Sequence, residues 1–376
     1  MKRNYGIDLL RILAMIMVPI LHVLGQGGIL NSLPKLSTKY ELAWLLETAS
    51  YCAVNCFALI SGYVGISTTF RYYKGLVLWL QVTFFTVLIT GFYAYTMPDI
   101  ITAEHWKQAL TPVSSRQYWY FTAYFTLFLF IPFINSAINS LSLKQLKILG
   151  ITIVTTLSCW ETVTQSDLFC LKNGYSFLWL TALYILGAII KKTEFGIRTS
   201  KISLFILYCS CTLLSWGFKH YFSMHPMKVI KPDLLISYIS PTILISAIAL
   251  LLLFSKLTIR STLSIRLIKL FSPLAFSVYI IHVHPLIWIN AFKNRFVEYS
   301  SYPVFPLVLH ILLAALSIFL LCAAIDFIRH YLFSLLHINE VCRFLLSFTE
   351  SKETSSVIIP FVKEEETVLI HTSSDL

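Results

Sequence analysis

The sequence predicts an all-α fold: a polytopic transmembrane bundle of about ten helices, with both the N- and C-termini cytoplasmic. Three observations lead there. Hydrophobic residues make up 57% of the 376 and charged residues 12%, about half of the roughly 25% usual in soluble domains. Too few charges exist to cover a water-exposed surface. Almost uncharged windows of about 19 residues recur along the whole length, and a hydrocarbon layer about 30 Å thick is crossed by roughly 20 helical residues. Basic residues gather in alternate loops, fourteen on one side against ten on the other. Lys2 and Arg3, ahead of the first span, set the same cytoplasmic orientation.

The first span, 5–25, carries Arg11 and His22 and is followed by no small-residue cleavage pattern, so it is expected to be a retained helix rather than a signal peptide. Spans at 42–64 and 76–97 follow. The loop from Pro98 to Gln117 is then expected to hold a short interfacial helix anchored by Trp106. Further spans are expected at about 118–138, 148–163, 175–190, 202–222, 234–254, 271–292 and 304–328. Residues 1–330 thus form one transmembrane domain. Residues 331–376 form a cytoplasmic tail that turns polar from Glu350 and is expected to be largely disordered from about there.

Composition also excludes some functions. A net charge of +11 in a soluble chain would suggest nucleic acid; here it fits basic loops against anionic lipid, and no nucleic-acid partner is expected. Six of the eight cysteines fall inside apolar spans, where buried free thiols are the plain reading. Zinc spacings, Gly-rich phosphate loops and fixed-period repeats are missing from the sequence, so no permanently bound metal or cofactor is expected.

Ionisable groups inside a membrane are costly and usually face the bundle interior or a wet cavity. Arg11 and His22 are eleven residues apart, about three helical turns, which puts them on nearly one face roughly 16 Å apart along the axis. Each also has a plainer reading: Arg11 as an anchor snorkelling to the interface, His22 as a satisfied buried histidine.

With His22 and the segments that follow, the chain resembles membrane-bound acyltransferase family 3 (the polysaccharide O-acetyltransferase type), whose first helix carries Arg or Lys, ten residues, then His. Three further segments in the same order carry the resemblance. They are Val54 to Tyr63, closing in Ser61-Gly62-Tyr63; the aromatic stretch from Tyr118 and Trp119 to Pro132; and Tyr279 to His282 within Phe276–Leu286. They span residues 5 to about 290. The family tends to have several arginines after the second span, whereas this chain has Arg71 and Lys74, which weakens that basic site.

The resemblance implies transfer of an acyl group, usually acetyl from acetyl-CoA, to a hydroxyl of a cell-surface carbohydrate, by a multi-pass protein of the plasma or inner membrane. The anionic donor would meet Arg11, Arg71 and Lys74 near the inner face. His22 is the expected general base, with a covalent acyl-histidine left open. Ser61 either supports the oxyanion or packs a helix, and His282 belongs either to the site or to the scaffold. Glu47, Tyr118 and Trp119 are expected toward the carbohydrate, although an interfacial aromatic belt explains Trp119 equally well. The alternative is a polysaccharide or lipid-linked sugar transporter without acyl transfer. That would show paired discontinuous helices in corresponding halves, and no matching halves are found.

Overall fold

The computed structural model describes residues 3–347 and, among them, contains helices and no strand. We number thirteen helices: α1 (Tyr5–Leu24), α2 (Thr38–Ser50), α3 (Ala53–Gly65), α4 (Tyr73–Thr96), α5 (Ala103–Leu110), α6 (Trp119–Ser140), α7 (Leu143–Thr164), α8 (Phe177–Thr193), α9 (Lys201–Met224), α10 (Pro241–Ser255), α11 (Thr262–His282), α12 (Val304–Leu335) and α13 (Ile338–Leu345).

All ten expected spans fall on helix. Eight segments are long and apolar enough to cross a membrane, with α2 and α3 joined as one run. The other two helices are too short to meet that length. The 175–190 span is the 17-residue α8, and the 234–254 span is reduced to the 15-residue α10, because the chain before Ser240 runs as turns. The 271–292 span is also redrawn. Helix α11 starts earlier, at Thr262, and stops at His282, and a second short helical piece begins at Pro285. The helix is interrupted between His282 and Pro285. His284 caps the new piece by accepting the Leu286 N–H on its Nδ1 at 3.2 Å.

The starts of the helices are written in the sequence. The Asn4 side chain accepts the N–H groups of Gly6 and Ile7, and Ser37, Ser142, Ser176, Ser200, Ser240 and Ser261 cap α2, α7, α8, α9, α10 and α11 in the same way. Each satisfies a backbone donor that the first helical turn leaves free. The loop after α4 contains the expected short helix, α5, with Trp106 partly exposed on it. The expected boundary at residue 330 falls inside α12, and the stretch from about 350 lies outside the described residues.

The tightest crossing joins α3 to α8. A β-carbon on Gly62 would collide with the Tyr184 carbonyl, and one on Gly187 would collide with the Leu59 carbonyl. Each helix therefore brings bare backbone against the other, the close approach that small residues permit in membranes. This is the local reason for glycine in Ser61-Gly62-Tyr63. The crossing is locked from inside by Asn55, which is 0% exposed. Its amide donates to the Tyr238 carbonyl at 2.8 Å, and its carbonyl accepts the Trp179 indole N–H at 3.2 Å.

Candidate functional site

A cavity of about 790 Å³ opens along α1 and is walled by α2, α3, α4, α6, α11 and the restart at Pro285. Six of the nine side chains singled out in the sequence line it: Arg11, His22, Glu47, Ser61, Lys74 and Trp119. It extends along α1 from the second turn to the last, a rise of roughly 16 Å at 1.5 Å per residue. Because α1, the α2–α3 run and α4 pass up, down and up, Arg11 and Lys74, each early in its helix, belong to one end and His22 to the other.

His22 sits in the last turn of α1, and its Nδ1 lies 2.8 Å from Nε2 of His282. His282 is buried behind the wall rather than on it, with Nδ1 against the carbonyl of Val278 one turn earlier. Trp288 meets the His22 ring edge-on, with centroids 4.7 Å apart. Pro19 lies three residues before His22, inside α1, and brings no N–H to the carbonyl four residues back.

Arg11 is not a lone cation. Its guanidinium is 2.7 Å from Asp8 Oδ1, and the same carboxylate takes Arg3 at 2.5 Å on Oδ2. The Ser272 hydroxyl also donates to Asp8, at 3.3 Å. Asp8 is 4% exposed and carries two cations, so the triad has a net charge of +1. Asp8 and Arg3 were absent from the residues chosen from sequence. The i, i+3 spacing of Asp8 and Arg11 was the available signal.

At the His22 end, Glu47 is 9% exposed, and its Oε2 has no hydrogen-bond partner among the described residues. Four aromatic rings gather on the same cavity: Tyr51 lies 4.8 Å from Tyr238, Tyr175 lies 5.1 Å from Tyr238, and Trp119 lies 4.6 Å from Tyr175. Tyr51, Tyr175 and Tyr238 were missed in the sequence. Among 20 tyrosines nothing marks three from separate segments as neighbours.

The remaining choices have different surroundings. Ser61 lines the cavity, but its hydroxyl donates to the Phe57 carbonyl at 2.8 Å and lies 3.4 Å from the Tyr124 oxygen. Its one proton is therefore engaged within α3. Tyr118 is 1% exposed and turned into the protein, with its ring 5.9 Å from Tyr279 and 6.3 Å from His284. Adjacent helical residues point about 100° apart, which is why Trp119 reaches the cavity and Tyr118 does not. Arg71 is not among the lining residues, whereas Lys74, one turn on, is. No group of three or more metal-ligating side chains occurs among the described residues.

A multi-span helical bundle thus encloses a cavity with His22 at one end, backed by the buried His282, and Arg11 three turns away. The chain belongs to the acyltransferase 3 family: the family model, described as an acyltransferase domain, matches residues 4–327. It is therefore a multi-pass membrane acyltransferase. No curated protein and no solved structure matches the chain.

Proposed function

We propose that this acyltransferase moves an acetyl group from acetyl-CoA to a hydroxyl of a cell-surface carbohydrate, such as an O-antigen, capsule, exopolysaccharide or lipid-linked glycan, in the plasma or inner membrane. The observation that carries this is the single cavity running from Arg11 and Lys74 to His22. Coenzyme A is strongly anionic, and its phosphates suit the guanidinium N–H groups of Arg11 left free by Asp8, together with Lys74 and the nearby Arg71. An extended phosphopantetheine arm is comparable to the roughly 16 Å between Arg11 and His22. The thioester carbonyl then lies beside the imidazole. The donor enters from the cytoplasm, at the end near the N-terminus.

In the reaction, a sugar hydroxyl attacks the thioester carbonyl while His22 takes its proton. The tetrahedral intermediate collapses with cleavage of the C–S bond, and the departing thiolate takes the proton back, giving acetyl ester and free coenzyme A. Glu47 accepts hydrogen bonds from sugar hydroxyls, Trp119 offers a face for a pyranose ring, and Ser61 supports the developing oxyanion after its hydroxyl turns from Phe57. Tyr118 backs this wall from behind Tyr279.

The test is expression in a host lacking an equivalent activity, followed by measurement of base-labile acetate on purified surface polysaccharide. Ester is expected with the wild type and not with His22→Ala. Unchanged ester from a normally produced His22→Ala protein overturns the assignment.

A further inference from the structure

We infer that His282 is a positioning residue which fixes the tautomer of His22, so that Nε2 of His22 is the nitrogen that handles the reaction's proton. This rests on the acyl-transfer reading above for its chemistry, but its geometry stands independently.

The argument starts from a carbonyl. An amide oxygen can only accept a hydrogen bond, so the Val278 carbonyl requires Nδ1 of His282 to carry a proton. A neutral imidazole has one N–H, which leaves Nε2 of His282 as an acceptor. That acceptor lies 2.8 Å from Nδ1 of His22, so Nδ1 of His22 must be the donor. The proton of the neutral His22 ring is then used, and Nε2 of His22 keeps a bare lone pair. No hydrogen bond to that nitrogen is found among the described residues, and His22 lines the cavity.

The three groups therefore form a directed chain, from His22 Nδ1–H to His282 Nε2 and from His282 Nδ1–H to the Val278 carbonyl. Both rings are held in the Nδ1–H form, opposite to the form a free histidine side chain prefers. Among the described residues, no carboxylate lies within hydrogen-bond distance of either ring. The arrangement differs in this from a Ser–His–Asp triad, where an acidic side chain orients the base. Here a second neutral ring, itself oriented by main chain, has that task.

The chain also carries the charge of the reaction. When Nε2 of His22 accepts the hydroxyl proton, the cation can be shared by passing the Nδ1 proton to Nε2 of His282, which the carbonyl of Val278 still supports. Returning the proton reverses each transfer, so no net charge stays in the pair. Two imidazoles in hydrogen-bond contact do not both charge in a poorly solvated site, so the pair takes up one proton per turnover.

The test has two readouts. In the wild-type protein in nanodiscs, with ring nitrogens labelled by ¹⁵N and His22 assigned by comparison with His22→Gln, His22 is expected to show a protonated Nδ1 and a pyridine-like Nε2. A protonated Nε2 on His22 overturns the inference, whatever substrate the enzyme uses. In turnover, His282→Leu removes the acceptor and is expected to lower kcat on the order of 10²- to 10⁴-fold, the range for a misdirected or missing base. The KM for acetyl-CoA should stay within about twofold. His282→Gln returns a carbonyl acceptor and is expected to recover at least about tenfold of that loss. Equal rates for Leu and Gln, or a kcat unchanged in both, would remove His282 from the mechanism. Absence of acetyl transfer by the wild type would instead sink the functional reading while the nitrogen signals still decide the tautomer.

Discussion

Replacing Asn55 by leucine removes the one side chain that satisfies two buried backbone and indole groups at once. The indole N–H of Trp179 can only donate and the carbonyl of Tyr238 can only accept, so the Asn55 amide is oriented one way and both bonds are lost together. Leucine has the same branched heavy-atom skeleton as asparagine, so no cavity opens, and the greater bulk of its methyls at this fully buried position can only add to the cost. The cost is then that of two stranded polar groups at about 1–3 kcal/mol each, roughly 2–6 kcal/mol in all. Reversible unfolding in mixed detergent measures it directly. A cycle with Trp179→Phe isolates the indole share, expected as a coupling of about 1–3 kcal/mol. Because Tyr238 lines the cavity, the KM for the carbohydrate should rise as well. A destabilisation under about 0.5 kcal/mol, the range of an ordinary surface change, would show that Asn55 does not hold this junction.

Three further outcomes are expected. Gly62→Leu drives a side chain into the Tyr184 carbonyl and should cost at least the roughly 1–3 kcal/mol of core overpacking, seen as a lower melting temperature and lower yield; normal stability would mean that the crossing of α3 and α8 is not close. Asp8→Asn changes the Arg3–Asp8–Arg11 triad from a net +1 to a net +2, yet the KM for acetyl-CoA should rise by about three- to tenfold with kcat little altered, because loss of orientation outweighs gain of charge. A lower KM would show the reverse. Tyr238→Phe should leave acetyl-CoA binding unchanged in isothermal titration, while Trp119→Ala weakens carbohydrate capture by roughly 1–2 kcal/mol, the scale of a lost ring face; weakened donor binding in either would move the aromatic group to the donor end.

Much of the fold was legible because hydrophobic length is a property of single segments. Serine caps before α2, α7, α8, α9, α10 and α11 sharpen the starts, and Pro285 is where the chain restarts after α11. The shortfall at α10 has a different cause. Apolar residues before Ser240, such as Ile236 and Ile239, are buried in the protein interior, and hydropathy does not distinguish contact with protein from contact with lipid. At the site, the Arg11–His22 pair could be read because both lie on α1. The contact of His22 with His282 joins residues 260 apart, and the meeting of Tyr51, Tyr175 and Tyr238 depends on three loops and helix ends. Neither has a local signature. Tyr118 shows the remaining limit: a motif identifies a segment, while a rotation of one residue decides which side chain reaches the cavity.

The pairing of Arg11 with Asp8 bears on how the chain enters the membrane at all. Helix α1 leaves the ribosome before α11 and His282 have been made, and an arginine costs roughly 2.5–3.5 kcal/mol to insert at a helix centre and less toward the end, where Arg11 lies. Asp8 lies one turn away on the same helix, so the partner that shields Arg11 arrives with it and needs no other segment. Biogenesis and chemistry thus separate along one helix. Its charged group is settled at the moment of insertion, whereas its histidine waits for the ninth expected span before its proton has a direction.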